Sequence, residues 1–190
     1  MPAPNVDLII VLDTSASMAP CFDGIRKHLS DLAKPMQGHV SKVRYGLVAN
    51  SVGKTDSGWL FSNKGLNGVE VLDALYEKSA NDAPELFTED PSVLTDTLAS
   101  LKPEGDEDLL LALDCALDFP FAPLSDTKRV IALFSDESFE GNGTFGRHRD
   151  KIPALIEKIQ ARRVQLFMAM PLSDASEELA MADRSELEQV

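Results

Sequence analysis

The sequence predicts an α/β fold: a mostly parallel central sheet with one antiparallel edge strand and helices on both faces. Three observations carry this. Two uninterrupted apolar runs, Leu8-Ile9-Ile10-Val11-Leu12 and Val130-Ile131-Ala132-Leu133-Phe134, read as strands buried on both faces, as in the middle of a parallel sheet. Segments with apolar residues at steps of three and four alternate with the strands. A pair of short extended stretches between residues 43 and 61 reads as a hairpin at one edge.

Taken in order, the first strand runs into Asp13-Thr14-Ser15-Ala16-Ser17-Met18, where polarity flips within one residue. A helix follows, with Phe22, Ile25, Leu29, Leu32 and Met36 on one face and Pro20 and Pro35 near its ends. Val43 to Ala49 is the second strand, Gly53 to Gly58 a turn, and Trp59-Leu60-Phe61 a third strand in which Trp59 anchors the hairpin. Val69 to Lys78 reads as helix, broken by Asn81-Asp82-Ala83-Pro84. Pro91 opens the next helix, carrying Val93, Leu94, Leu98 and Leu101; Lys102-Pro103-Glu104-Gly105 ends it. Gly105-Asp106-Glu107-Asp108 leads into a helix with Leu109, Leu110, Leu113, Ala116 and Leu117 as its core stripe, and acids there suit a positive helix end. Lys128 and Arg129 precede the fourth strand, Val130 to Phe134, which ends in Ser135-Asp136-Glu137. The glycine-rich loop Glu140 to Thr144 lacks the Lys-Ser or Lys-Thr of a phosphate-binding loop. Asp150 is placed to cap a helix with Ile152, Leu155, Ile156 and Ile159, and Val164 to Met170 is a last strand closed by Pro171. Ser173 or Asp174 caps a final acidic helix with Leu179, Met181, Ala182 and Leu187. Together these define a three-layer Rossmann-like sandwich, residues 1–190 forming one domain.

Bulk properties narrow the function classes. Hydrophobic residues at 44% and charged residues at 26% describe an ordinary globular chain. No apolar run approaches a membrane span, and Met1 to Asn5 lacks the basic and apolar regions of a signal peptide, so a cytoplasmic location is expected. A net charge of −13 argues against nucleic acid and anionic membrane as partners, since a phosphate-binding surface needs clustered Lys and Arg. The one basic cluster, Arg147-His148-Arg149, is short and reads as a solvated loop. The acidic balance favours cations or a basic surface. Cys21 and Cys115 make no disulfide framework and are expected as buried free thiols. His28, His39 and His148 show no metal-ligand spacing.

The chemistry concentrates at the ends of the two buried strands. Asp13, Ser15 and Ser17 offer hard oxygen ligands at alternate positions of a tight loop, which suit Mg²⁺, Mn²⁺ or Ca²⁺ rather than Zn²⁺. For Ser17, capping of the following helix is the competing role. In open α/β sheets ligands bind outside the carboxyl ends of the strands, where strand order reverses. Asp13 and Asp136 both stand at such ends, and adjacent central strands would bring them together. Three carboxylates within roughly 5 Å repel by about 3 kcal/mol per pair at an effective dielectric near 20, a conflict that a divalent ion removes.

The Asp13-x-Ser15-x-Ser17 pattern after a buried strand, the edge hairpin, the acidic loop Gly105 to Asp108 before a helix and the strand ending in Asp136 occur in the order seen in the von Willebrand factor type A family, which the sequence resembles along nearly its whole length. That resemblance implies a metal-ion-dependent adhesion site, with Ser15 and Ser17 binding a divalent cation directly and Asp13, Asp106 and Asp136 holding it directly or through water. Mg²⁺ is the first expectation for the ion, with Mn²⁺ or Ca²⁺ also suited. Many family members carry a threonine in the second loop; here none stands, and Asp106, with Glu107 next, takes its place. Family members usually show glycine after the last aspartate, where this chain has Glu137. The function so implied is a non-enzymatic protein–protein interaction module whose cation is completed by a carboxylate from a partner protein. Two alternatives stand beside it: a metal-dependent phosphotransferase or phosphatase using Asp13, and a scaffold of a larger assembly in which the metal is structural. Against catalysis, Ser15 occupies the position where aspartyl phosphotransferases carry a second aspartate.

Overall fold

The computed structural model describes residues 3–32, 40–56, 58–76, 86–138, 150–171 and 177–181. Its centre is a five-stranded sheet of β1 (Asn5–Asp13), β2 (Lys42–Thr55), β3 (Gly58–Lys64), β4 (Thr127–Phe134) and β5 (Val164–Ala169), in the order β3-β2-β1-β4-β5. All neighbours are parallel except the β2–β3 hairpin at the edge. Strand order reverses at β1: the chain moves outward through β2 and β3, then returns to place β4 on the other side.

Side chains of β1 alternate between two cores. Ile9 and Val11 join Ile131, Leu133, Val164 and Leu166, covered by α4 (Leu109–Leu117) and α5 (Ile152–Arg162). Ile10 and Leu12 face the other way with Leu47 and Ala49, covered by Met18, by Phe22 of α1 (Ala19–Leu32) and by Leu94 and Leu98 of α3 (Pro91–Ser100). The period of two along a strand thus supplies both layers at once. Each such fully buried aliphatic side chain contributes roughly 2 kcal/mol by leaving water, so the central strand holds both helical layers to one sheet.

Several elements differ from the sequence expectation, each for a local reason. The hairpin ladder continues to the Thr55–Gly58 pair, so most of the expected Gly53 to Gly58 turn is strand; Gly53 pairs with Leu60 inside the ladder, whose hydrogen bonds outweigh the turn preference of glycine. β4 begins at Thr127, which takes Lys128 and Arg129 into the strand. Asp7 lies inside β1 at 1% exposure, tolerated because the Arg44 guanidinium reaches both its carboxylate oxygens at 2.7 Å and the Ala122 amide donates to one of them. The helix expected from Val69 begins two residues later, as α2 (Val71–Tyr76), and residues 77–78 of that expectation lie outside the described residues. Asp150 does not cap α5: Lys151 stands at the cap position without a side-chain hydrogen bond, and Pro153 in the first turn sets the start. Cys21 is exposed, not buried, because it is the neighbour of Phe22 on α1 and points about 100° away from that buried face. Cys115 is buried, and burial pushes its thiol up to about 12.

Residues 177–181 are helical and Leu179 joins the α4–α5 core. The expectations for Met36, His39, residues 81–84, the loop 140–144, the 147–149 cluster, Ser173 or Asp174, Ala182 and Leu187 lie outside the described residues, as do the side chains of Leu29, Leu32 and Trp59. Among the described residues no helix is long and apolar enough to cross a membrane.

Candidate functional site at the strand-order switch

β1 and β4 are paired up to Leu12 and Phe134, so the next residues of each strand, Asp13 and Ser135-Asp136, emerge side by side at the point where strand order reverses. Asp13 is fully buried. Its Oδ1 accepts the Ser15 amide at 2.7 Å and its Oδ2 accepts the Ser135 hydroxyl at 2.6 Å. Burial raises the Asp13 carboxyl above the usual carboxylate range; the hydrogen bonds from Ser135 and Ser15 pull it back, and the nearby Asp136 charge adds to the rise.

The hydroxyls continue the chain of contacts. Ser15 Oγ and Ser17 Oγ are 2.9 Å apart, and Ser17 Oγ donates to Asp136 Oδ1 at 3.1 Å. Ser17 therefore spends its hydroxyl across the 119 residues separating it from Asp136, not on a helix cap. Ser15 opens the short 3₁₀ turn Ala16–Met18, also without a side-chain cap.

The second acidic loop is sewn to the first by backbone. The Ala16 amide donates to Gly105 O at 3.0 Å and the Glu104 amide to Thr14 O at 2.8 Å. Asp106 and Val52 exchange both backbone hydrogen bonds, at 2.7 and 2.8 Å. This close approach demands Gly105, which has φ +73° and where a Cβ would overlap the Val52 carbonyl oxygen. Asn50, level with Asp13 on β2 and fully buried, is the hub: its carbonyl accepts the Thr14 amide and hydroxyl, its Oδ1 accepts the Asp108 amide at 2.6 Å, and its Nδ2 donates to Asn63 Oδ1. Asp108 then caps α4 by accepting the Leu111 amide at 3.0 Å.

Of the five residues expected as metal ligands, Asp13, Ser15, Ser17 and Asp136 form one hydrogen-bonded set, Asp13 joined through the Ser15 amide and the other three through their side-chain oxygens. Asp106 stands on the adjoining loop with an exposed side chain and engages through its backbone. Glu107, the second choice, is the buried acid of that loop at 3% exposure, and its Oε2 is buried with no hydrogen-bond partner among the described residues. Burial, then the charges of Asp13, Glu137 and Asp106 and a hydrogen bond with Glu137, push its carboxyl up to about 8. Ser135, Asn50 and Thr14 were not singled out from the sequence. The available signal was position, since each stands at or beside the carboxyl end of a predicted strand.

The donor chemistry fits a hard cation. Two oxygens side by side on an octahedral Mg²⁺, each about 2.1 Å from the ion, are about 3.0 Å apart. The Ser15–Ser17 and Ser17–Asp136 separations of 2.9 and 3.1 Å have that spacing, although hydrogen bonds alone also produce it. Among the described residues no three carboxylate, imidazole or thiol groups gather closely enough to hold an ion by themselves.

A cleft of about 990 Å³ lies at the opposite end of the sheet, lined by Arg44, Phe87, Phe119, Phe121, Arg129 and Arg162 among others. Its guanidinium groups are already engaged: Arg44 by Asp7, Arg162 by Asp118, and Arg129 by the carbonyls of Ala122 and Arg162. It is remote from the acidic site, because Arg44 and Arg129 pair with Asp7 near the start of β1.

The fold and the site together define a mostly parallel α/β domain with an acid-and-hydroxyl cluster at its topological switch point. No protein-family model matches the sequence, and no curated protein matches it.

Proposed function

We propose that this chain is a von Willebrand factor type A-like interaction module that binds a protein partner through a divalent cation and is not an enzyme. The observation that carries this is the run of oxygens from Ser15 through Ser17 to Asp136, joined to the Asp13 carboxylate by the Ser15 amide and built from two strand ends far apart in sequence. Ser15, Ser17, Asp13 and Asp136 would hold the ion, with Asp106 reached directly or through water. Mg²⁺ is the first candidate, because it accepts an incomplete protein shell and keeps several waters; Mn²⁺ and Ca²⁺ take the same donor types. When bound, the ion supplies positive charge and a position for an oxygen from outside the chain. A carboxylate presented by a partner protein suits that position. The chain's own residues do the rest: Ser135 and the Ser15 amide fix the Asp13 carboxylate, and Asn50 fixes the second loop against the first.

Calorimetric titration with Mg²⁺, Mn²⁺ and Ca²⁺, alongside thermal unfolding with and without chelator, tests the proposal. Wild type is expected to bind one ion and to unfold at a higher temperature when loaded. Asp13→Ala is expected to lose both effects while keeping its far-ultraviolet circular dichroism. Wild type giving no heat and no thermal shift with any of the three ions would remove the metal from the proposal altogether. Turnover of a generic phosphate ester that depends on Asp13 would replace the binding module by an enzyme.

A further inference from the structure

The two edges of the sheet differ in how they are closed. Beside β3, Glu70 bridges to Lys64, and its carboxylate takes the Lys64 ammonium, the Ser62 hydroxyl and the Asn63 amide. Beside β5, among the described residues, no strand or bridge lies on the outer side. β5 reads Val164-Gln165-Leu166-Phe167-Met168-Ala169, with no charge, proline or glycine in it. Edge strands are normally guarded by charge or proline, or covered, because a row of open amides and carbonyls recruits another strand. Phe167 is 60% exposed, on the face of the sheet opposite Leu166.

The backbone fixes which groups are open. The Ala169 carbonyl accepts the Ser135 amide, so Ala169 turns its backbone groups toward β4. By alternation Gln165 and Phe167 do the same, while Val164, Leu166 and Met168 turn their amides and carbonyls outward. An antiparallel neighbour related by a twofold axis perpendicular to the sheet keeps each face on its own side. With the axis at Phe167, Leu166 of each copy exchanges hydrogen bonds with Met168 of the other, on the face of the α4–α5 core that both side chains already contact. Phe167 then stands against Phe167 of the second copy as a non-hydrogen-bonded pair, with about 4.5 Å between Cα atoms.

Charge favours the same occupant. Exposed Lys128 and Arg163 stand at the starts of β4 and β5, and exposed Asp136 lies just beyond the end of β4. Antiparallel pairing brings the basic end of each copy beside the acidic end of the other. The backbones there are two strand spacings, roughly 10 Å, apart, and the side-chain tips come closer. The net charge of −13 is spread over the whole chain, and charges on distant surfaces are largely screened at physiological salt. We propose that the chain forms a twofold dimer in which β5 pairs antiparallel with β5 of a second copy, Phe167 against Phe167, joining the two sheets into one. Such a contact is self-complementary, as a closed twofold interface must be.

Sedimentation equilibrium of the full chain tests this. Wild type is expected at twice the chain mass at high micromolar concentration. Phe167→Lys and Arg163→Glu are each expected to weaken association at least about tenfold. Both positions are exposed, so both variants should keep the wild-type circular dichroism. In a Cys21→Ser background, Phe167→Cys is expected to give a disulfide-linked dimer on oxidation, since the separation across the axis is one that a disulfide spans. Wild type sedimenting as a single chain throughout would overturn the proposal. So would a dimer that both charge variants leave intact and that Phe167→Cys fails to cross-link, which would put the contact on another face.

Discussion

Replacing Gly105 by alanine tests whether the two acidic loops are held together as described. Two costs can be worked out. At φ +73° an L-residue pays about 1–2 kcal/mol for the left-handed conformation. The added Cβ also overlaps the Val52 carbonyl oxygen, a backbone atom that cannot rotate away. Relief requires the two segments to part, which breaks both hydrogen bonds between Val52 and Asp106, at about 1 kcal/mol each. The expected loss is therefore roughly 3–4 kcal/mol, or a fall in Tm of roughly 10 °C for a chain of this size. Gly68 provides the control. Its φ is +74°, yet a Cβ there meets nothing within 4 Å, so Gly68→Ala should pay only the conformational part. Urea unfolding of wild type and both variants in chelator, followed by circular dichroism, measures the difference. Equal losses in the two variants, or a Gly105→Ala loss below about 1 kcal/mol, would refute the close contact between the loops.

Arg44→Met should destabilise the chain by roughly 3 kcal/mol, because it strands the buried Asp7 carboxylate. Adding Asp7→Asn should recover much of that loss, since asparagine is neutral and still accepts the Ala122 amide; denaturant midpoints of the single and double variants decide it. Of the two thiols, exposed Cys21 should react with a thiol reagent at pH 8 within minutes. Cys115, whose thiol is held near 12 by burial first and by Asp114 next, should react only on unfolding. Two equally fast thiols in the native chain would contradict the packing of α4.

Much of this was legible before any coordinates. Apolar runs interrupted by a single acid mark where a buried strand leaves the core, and that change is local: Leu12 to Asp13 and Phe134 to Ser135 are decided by adjacent side chains. Helical periodicity likewise announced the buried stripes of α3 and α4. The hairpin was found but its turn misplaced, since glycine's preference at Gly53 is weaker than the cross-strand ladder that absorbs it. Cys21 was misjudged because a mixed stretch of sequence does not reveal which of two neighbouring residues a helix turns inward.

The layered α/β class, the strand ends on which Asp13 and Asp136 stand, and the hydroxyls that follow Asp13 at alternate positions can all be read from the order of residues alone. Those features depend on polarity and spacing within a few residues. That Ser135 fixes Asp13, that Asn50 joins three segments, and that Glu107 is the buried acid of the second loop while Asp106 faces solvent emerges from the folded chain. These features depend on strand register and on how closely two backbones approach, both set by contacts between residues distant in the chain.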